Sequence, residues 1–68
     1  MIAKKDLKHC IYYFGTCRNS HIAVWDEKQN RFYYMRYKFG GWMLEDIKHP
    51  EDDDGYDVFE PHFEVEIT

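Results

Sequence analysis

Arg31-Phe32-Tyr33-Tyr34-Met35-Arg36-Tyr37-Lys38-Phe39 (RFYYMRYKF) is the longest run of β-favouring residues in the chain, and Gly40-Gly41 follows it directly. Aromatic side chains favour a pleated, half-buried backbone. Paired glycines permit a tight reversal, since glycine reaches positive φ without a steric penalty. Residues 42–48 (WMLEDIK) then read as the returning strand of a hairpin. Upstream, residues 10–15 (CIYYFG) and 21–25 (HIAVW) have the same character, separated by the turn-like TCRNS at 16–20. DEKQN at 26–30 is a polar hairpin loop between the second run and the third. Downstream, residues 50–55 form an acidic loop, and residues 56–59 and 62–67 read as short closing strands around Glu60-Pro61. Only residues 3–8 have helical flavour. Short strands at roughly ten-residue spacing define an all-β chain, an antiparallel meander of five to six strands. In so short a chain the sheet bends on itself, either as an open bent sheet or as a small SH3-like barrel. Residues 1–68 form a single domain.

The alternation along these strands assigns faces. In the long run the odd positions, Tyr33, Met35, Tyr37 and Phe39 after Arg31, make the more apolar face and are the expected core. The even positions, Phe32, Tyr34, Arg36 and Lys38, mix rings with cations. In residues 62–67, Phe63, Val65 and Ile67 alternate with Glu64 and Glu66, which predicts the apolar three inward and the acids outward. The first strand is apolar on both sides, so some rings must lie outside a single interior. Either the N-terminal segment covers them or a partner does.

Thirteen of the 68 residues are aromatic, and they compensate for the small core that a chain of this length can build. Charge is divided sharply. Residues 1–44 carry eight Lys/Arg and three acids, a net of +5; residues 45–68 carry one lysine and ten acids, a net of −9, and the two sum to −4. Such asymmetry points to a binding surface before it points to chemistry. No stretch approaches the eighteen or so apolar residues of a membrane span, and the N-terminal residues lack the apolar run of a signal peptide. The expectation is a cytoplasmic protein without a membrane partner. Cys10 and Cys17 then read as buried free thiols rather than a disulfide, and their six-residue gap is wider than a zinc knuckle.

The acidic stretch Glu51, Asp52, Asp53, Asp54, Asp57 and Glu60 admits three readings. As an EF-hand it fails, because Pro50 would stand at position one and Pro61 at the position that needs a bidentate glutamate. As a solvated turn it is ordinary. As a ligand for a basic surface it has the charge density to imitate a phosphate backbone. The basic–aromatic positions Phe32, Tyr34, Arg36, Lys38 and Trp42 suggest a second contact patch, or a stacking platform for single-stranded nucleic acid. The −9 segment makes direct nucleic-acid binding the lesser reading. Catalysis has no recognisable apparatus: there is no nucleophile elbow, no phosphate loop, and His9 and Cys10 would point to opposite faces of a strand. Neither a cofactor nor a metal is expected.

Cys17-Arg18-Asn19-Ser20, Trp25-Asp26, Arg36-Tyr37-Lys38-Phe39-Gly40, residues 47–53 (IKHPEDD) and residues 56–61 (YDVFEP) together resemble a loose group of short proteins from phage and bacterial genomes. The resemblance spans nearly the whole chain and carries over no functional residue. It implies a small acidic protein that works by binding a host protein, often one that handles nucleic acid. The resulting expectation is a non-enzymatic protein-binding module, most concretely a phage-type inhibitor. Its acids meet a basic host surface of the nucleic-acid-handling or defence machinery, and its aromatics anchor the contact. A homodimer is a further possibility of the two-sided strands. The alternative is a small nucleic-acid-binding barrel using the strand at 31–38.

Overall fold

In a computed structural model, which describes residues 1–53, 55 and 57–66, the long run becomes one arm of the central hairpin. Strands β1 (Tyr12–Thr16), β2 (Ile22–Asp26), β3 (Arg31–Lys38), β4 (Gly41–Ile47) and β5 (Glu60–Val65) form one antiparallel sheet in the order β4-β3-β2-β1-β5. Of the two architectures expected, the open bent sheet is the one that forms: β4 and β5 are its two edges and do not pair with each other. The expected closing strand at 56–59 is reduced to a single parallel bridge between Lys48 and Val58, with Tyr56 outside the described residues. The helical flavour at the N-terminus survives as one 3₁₀ turn, Lys4–Asp6.

The β3–β4 reversal lies one residue earlier than the glycine pair suggests. Lys38 and Gly41 are partners, so the two central turn residues are Phe39 (φ 55°) and Gly40 (φ 80°). Positive φ at both central positions is the type I′ turn, whose twist matches a two-residue hairpin. Asn and Gly suit it; a bulky aromatic at positive φ is strained by about 1 kcal/mol. Phe39 sits there 91% exposed, so burial does not offset that strain. Phe39→Asn should therefore stabilise the hairpin by about 0.5–1 kcal/mol and raise Tm by a few degrees. Thermal melts of the two proteins check this, and an unchanged or lower Tm would mean that Lys38, which places its ammonium 5.3 Å from the Phe39 ring centroid, compensates the turn.

One face of the sheet is closed, and it is the even face of β3. Phe32 and Tyr34 are buried together with Tyr13, Ala23, Trp25, Ile47, Leu7 and Phe59. This corrects the expected parity: Met35, Tyr37 and Phe39 are exposed and Tyr33 is only half-buried. Register supplies the reason. Phe32 pairs with Trp25 and Ile47, so all three share a face, and Phe59 and Leu7 arrive over that face from distant parts of the chain. The N-terminal segment is tied across it. The Ile2 amide donates to the Pro61 carbonyl (2.7 Å), and the Lys8 amide donates to the Tyr13 hydroxyl (2.8 Å).

His49 completes the cover. It is fully buried, with its ring stacked on Phe32 (centroids 6.2 Å, 21°). The Glu51 amide donates to Nδ1 (3.0 Å), which leaves Nε2 as the N–H that donates to the Ile2 carbonyl (2.9 Å). Both ring nitrogens are satisfied, as a buried polar group requires.

The parity of β5 is also the reverse of that expected. Phe14 pairs with Phe63 while Gly15 pairs with Pro61, so His62 is an extra residue without a partner on β1. Such a bulge switches the side chains on either side of it to opposite faces. Pro61 is buried on the covered face, whereas Phe63 is 56% exposed and Val65 half-buried on the other. Ile67 lies outside the described residues.

Candidate protein-binding surfaces

The odd face of β3 lies on an uncovered sheet surface. Tyr12, Val24 and Tyr33 form one row across three strands. Phe14 and Phe63 stack at 5.1 Å and 13°, and Tyr37 meets Trp42 edge-on at 5.4 Å and 72°. Met35 pairs with Leu44 between these clusters. Charge on this face is confined to its ends: Arg31 pairs with Asp46 (3.7 Å) near Asp26 at one, and Glu60 lies at the other, opposite Thr16. A solvent-facing antiparallel sheet ordinarily shows polar side chains there. This one shows rings and methionine.

Of the expected aromatic and basic contact residues, the structure leaves Trp42 on the surface, 67% exposed. Phe32 (0% exposed) and Tyr34 (7%) are core residues and cannot touch a partner, which corrects their assignment. Arg36 and Lys38 follow them on the covered face but beyond the core cluster, half-buried along the hairpin. A stacking platform built from Phe32, Tyr34, Arg36 and Lys38 therefore lacks both of its rings. The exposed aromatics that sequence reasoning assigned to the interior are Tyr37, Phe39 and Phe63.

The acids are held by a frame. Lys4 Nζ reaches both carboxylate oxygens of Asp52 (2.8 and 3.0 Å), and Asn30 Nδ2 donates to the same group (3.0 Å). The hydrogen bond from Lys4, seconded by its charge and by Asn30, holds the Asp52 carboxyl below its ordinary value against an opposing desolvation effect. Glu51 accepts the Lys4 amide (2.7 Å), and Asp53 accepts the Gly55 amide (2.8 Å) to close an Asx turn. Asp57 lies 3.9 Å from Arg18, both largely exposed. Glu60 is exposed at the start of β5, and Asp54 lies outside the described residues. The loop thus runs from Asn30, at the β2–β3 turn, to Arg18, in the β1–β2 loop. By register Glu45 and Glu64 belong to this same covered side, where Lys8 reaches Glu64 (3.2 Å). Most of the acids accordingly lie on the covered side, while Asp26, Asp46 and Glu60 stand only at the ends of the face that carries the exposed rings.

Between the hairpin and the loop is a polar cleft of about 260 Å³, lined by Arg18, Asn19, Tyr34, Arg36, Glu45 and Asp57 among others. Asp46 lines it too, so three acids outnumber two arginines and it offers no cradle for an anion. Among the described residues no group of three or more His, Cys, Asp and Glu is placed to hold a metal ion. Cys10, expected to be buried, is exposed, and Cys17 is half-buried with its thiol donating to the Ser20 carbonyl (3.1 Å). Cys10 is turned outward by its positive φ (63°), a local feature that composition does not reveal. Sequence reasoning also missed Thr16 Oγ1, 3.0 Å from His62 Nε2. That pair lies on the exposed sheet edge, and no described hydrogen bond orients the imidazole from its other side, as a nucleophile–base pair requires.

No helix of the described residues is long and apolar enough to cross a membrane. No family model, curated protein or solved structure matches the chain.

Proposed function

We propose that this chain is a small non-enzymatic protein-binding module of phage type, acting in the cytoplasm by docking its acidic side onto a basic host protein that handles nucleic acid or serves defence. The observation that carries this reading is the mounting of the acids. Lys4, Asn30 and His49 fix the start of the loop, so Asp53 and Asp57 are presented from an ordered base rather than from a loose tail, with Glu60 beside the loop at the start of β5. Pre-organised charge of one sign steers encounter with a surface of the opposite sign and lowers the ordering cost of binding. The phage-type context comes from the resemblance of the sequence motifs. Trp42, which shares the opposite, uncovered face with Tyr37, is not part of this acidic surface.

The test uses charge removal away from the Lys4 frame. Asp53→Asn, Asp57→Asn and Glu60→Gln together remove three charges and keep the turn chemistry at Asp53. Stability should change little, since exposed charges contribute about 0–1 kcal/mol each. Affinity for the host protein captured by the wild type and then purified should fall tenfold or more, chiefly through slower association, and the wild-type rate should drop as salt rises. Unchanged association kinetics in the triple variant, or tight binding of single-stranded oligonucleotides by the wild type, would overturn the reading.

A further inference from the structure

We infer that the uncovered face of the sheet is an interface between two copies of this chain, packed face to face as the two layers of a β-sandwich. A sheet is stable when its apolar faces are buried against another layer. Here the N-terminal segment, Phe59 and His49 supply that layer on one side only. The other side keeps Met35, Tyr37, Trp42, Leu44 and Phe63 more than half exposed.

Three observations select a second copy as the occupant. The first is area. The exposed fractions of the large apolar side chains on this face amount to roughly 800 Å², about what one partner contributes to a standard stable interface. The second is charge. Among the described residues, the centre of the face carries no charged side chain, and its one ion pair, Arg31 with Asp46, is internally neutral. Apolar, charge-depleted centres are the mark of homodimer interfaces, which are more apolar than those of transient complexes. A basic partner would instead be steered to the acids, which lie mainly on the covered side. Two copies of a chain of net charge −4 can stack their outer faces without bringing those acids together. The third is the edges. β4 carries Glu45 and Asp46, and β5 carries Glu60 and Glu64, at the positions where charge discourages strand-to-strand pairing. Association through the face remains, and sheets stack in this way at about 10 Å with their strands within about 30° of alignment.

This inference is independent of the acidic docking side, and its test requires no partner. Sedimentation equilibrium on the full chain should give a monomer–dimer equilibrium with a dissociation constant in the micromolar range. Met35→Glu with Leu44→Glu places two charges in the middle of the face at solvent-exposed positions. That variant should keep the wild-type far-ultraviolet spectrum and dimerise at least a hundredfold more weakly. Fluorescence quenching gives a second reading without any substitution. Trp25 is 3% exposed and Trp42 is 67% exposed, so acrylamide quenches mainly Trp42 in the monomer. Quenching should fall as protein concentration rises through the dissociation constant, because dimerisation shields Trp42. A wild type that stays monomeric at high micromolar concentration would overturn the proposal and leave the face to a different protein. So would a dimer that survives both glutamates, or quenching that does not change with concentration.

Discussion

Phe32→Ala is expected to unfold the protein at room temperature or leave it barely folded. The ring has no exposed surface, and four other rings meet it: Phe59 at 4.7 Å, Trp25 at 4.8 Å, His49 at 6.2 Å and Tyr13 at 6.4 Å. Truncating a buried phenylalanine costs about 3–5 kcal/mol, the transfer free energy of the lost atoms plus the cavity left behind. A chain of 68 residues has roughly 3–10 kcal/mol of total stability at 0.05–0.15 kcal/mol per residue. The loss is therefore comparable with the whole. Relaxation cannot rescue it cheaply, because the four neighbours come from β1, β2 and the 49–59 segment, and no single shift closes the hole. Phe32→Leu fills more of the space and should cost well under half as much. Circular dichroism melts at low protein concentration, where self-association adds no stability, make the comparison clean. A Phe32→Ala protein melting within a few degrees of wild type would show the ring to be a surface residue, as a stacking platform needs.

That experiment bears on what could be read from the chain. The strands and the β3–β4 hairpin were legible, because runs of aromatic residues bounded by polar or glycine-containing turns leave little other choice. Which side of the sheet becomes the core was not. In β3 both parities are rich in rings, and the odd parity, with Tyr33, Met35, Tyr37 and Phe39, is the more apolar by composition. The even parity is buried because Trp25, Ile47 and Tyr13 share its side and because Leu7 and Phe59 close over it. Those last two contacts join residues far apart in sequence, and no local alternation encodes them. The same holds for β5, whose clean alternation is real but is inverted by the bulge at His62.

The acidic side was legible in part. Its charge density is a matter of composition, and the 50–55 stretch was readable as a solvated turn. Its frame was not. Lys4 and Asp52 are 48 positions apart, and the bonds from His49 to Ile2 and Glu51 depend on a ring buried against Phe32. A histidine beside a proline in an acidic loop reads as surface. Here it is the peg that fastens the N-terminal segment to the loop.

Gly15→Ala should be the second severe lesion, and it tests the bulge directly. Gly15 is buried on β1 opposite Pro61, at the point where the β1–β5 register shifts. A Cβ there would run into the Glu60 carbonyl oxygen, come within 2.9 Å of the Glu60 carbonyl carbon and lie 2.8 Å from the Phe59 ring. Phe59 could turn at some cost; the backbone of Glu60 cannot move without pulling β5 away from β1. Overpacking a core costs about 1–3 kcal/mol when side chains can adjust, and the rigid obstacle puts this case at the upper end or beyond. β5 also anchors the N-terminal segment through the bond from Ile2 to Pro61, so its displacement uncovers the core as well. Adding Phe59→Leu to Gly15→Ala removes the ring clash and leaves the carbonyl clash, so it should restore none of the lost stability. Thermal melts of the single and double variants decide the matter. Recovery in the double variant would place the obstacle in the Phe59 ring, whereas a wild-type melting temperature for Gly15→Ala would show that β5 does not lie against β1 in this register.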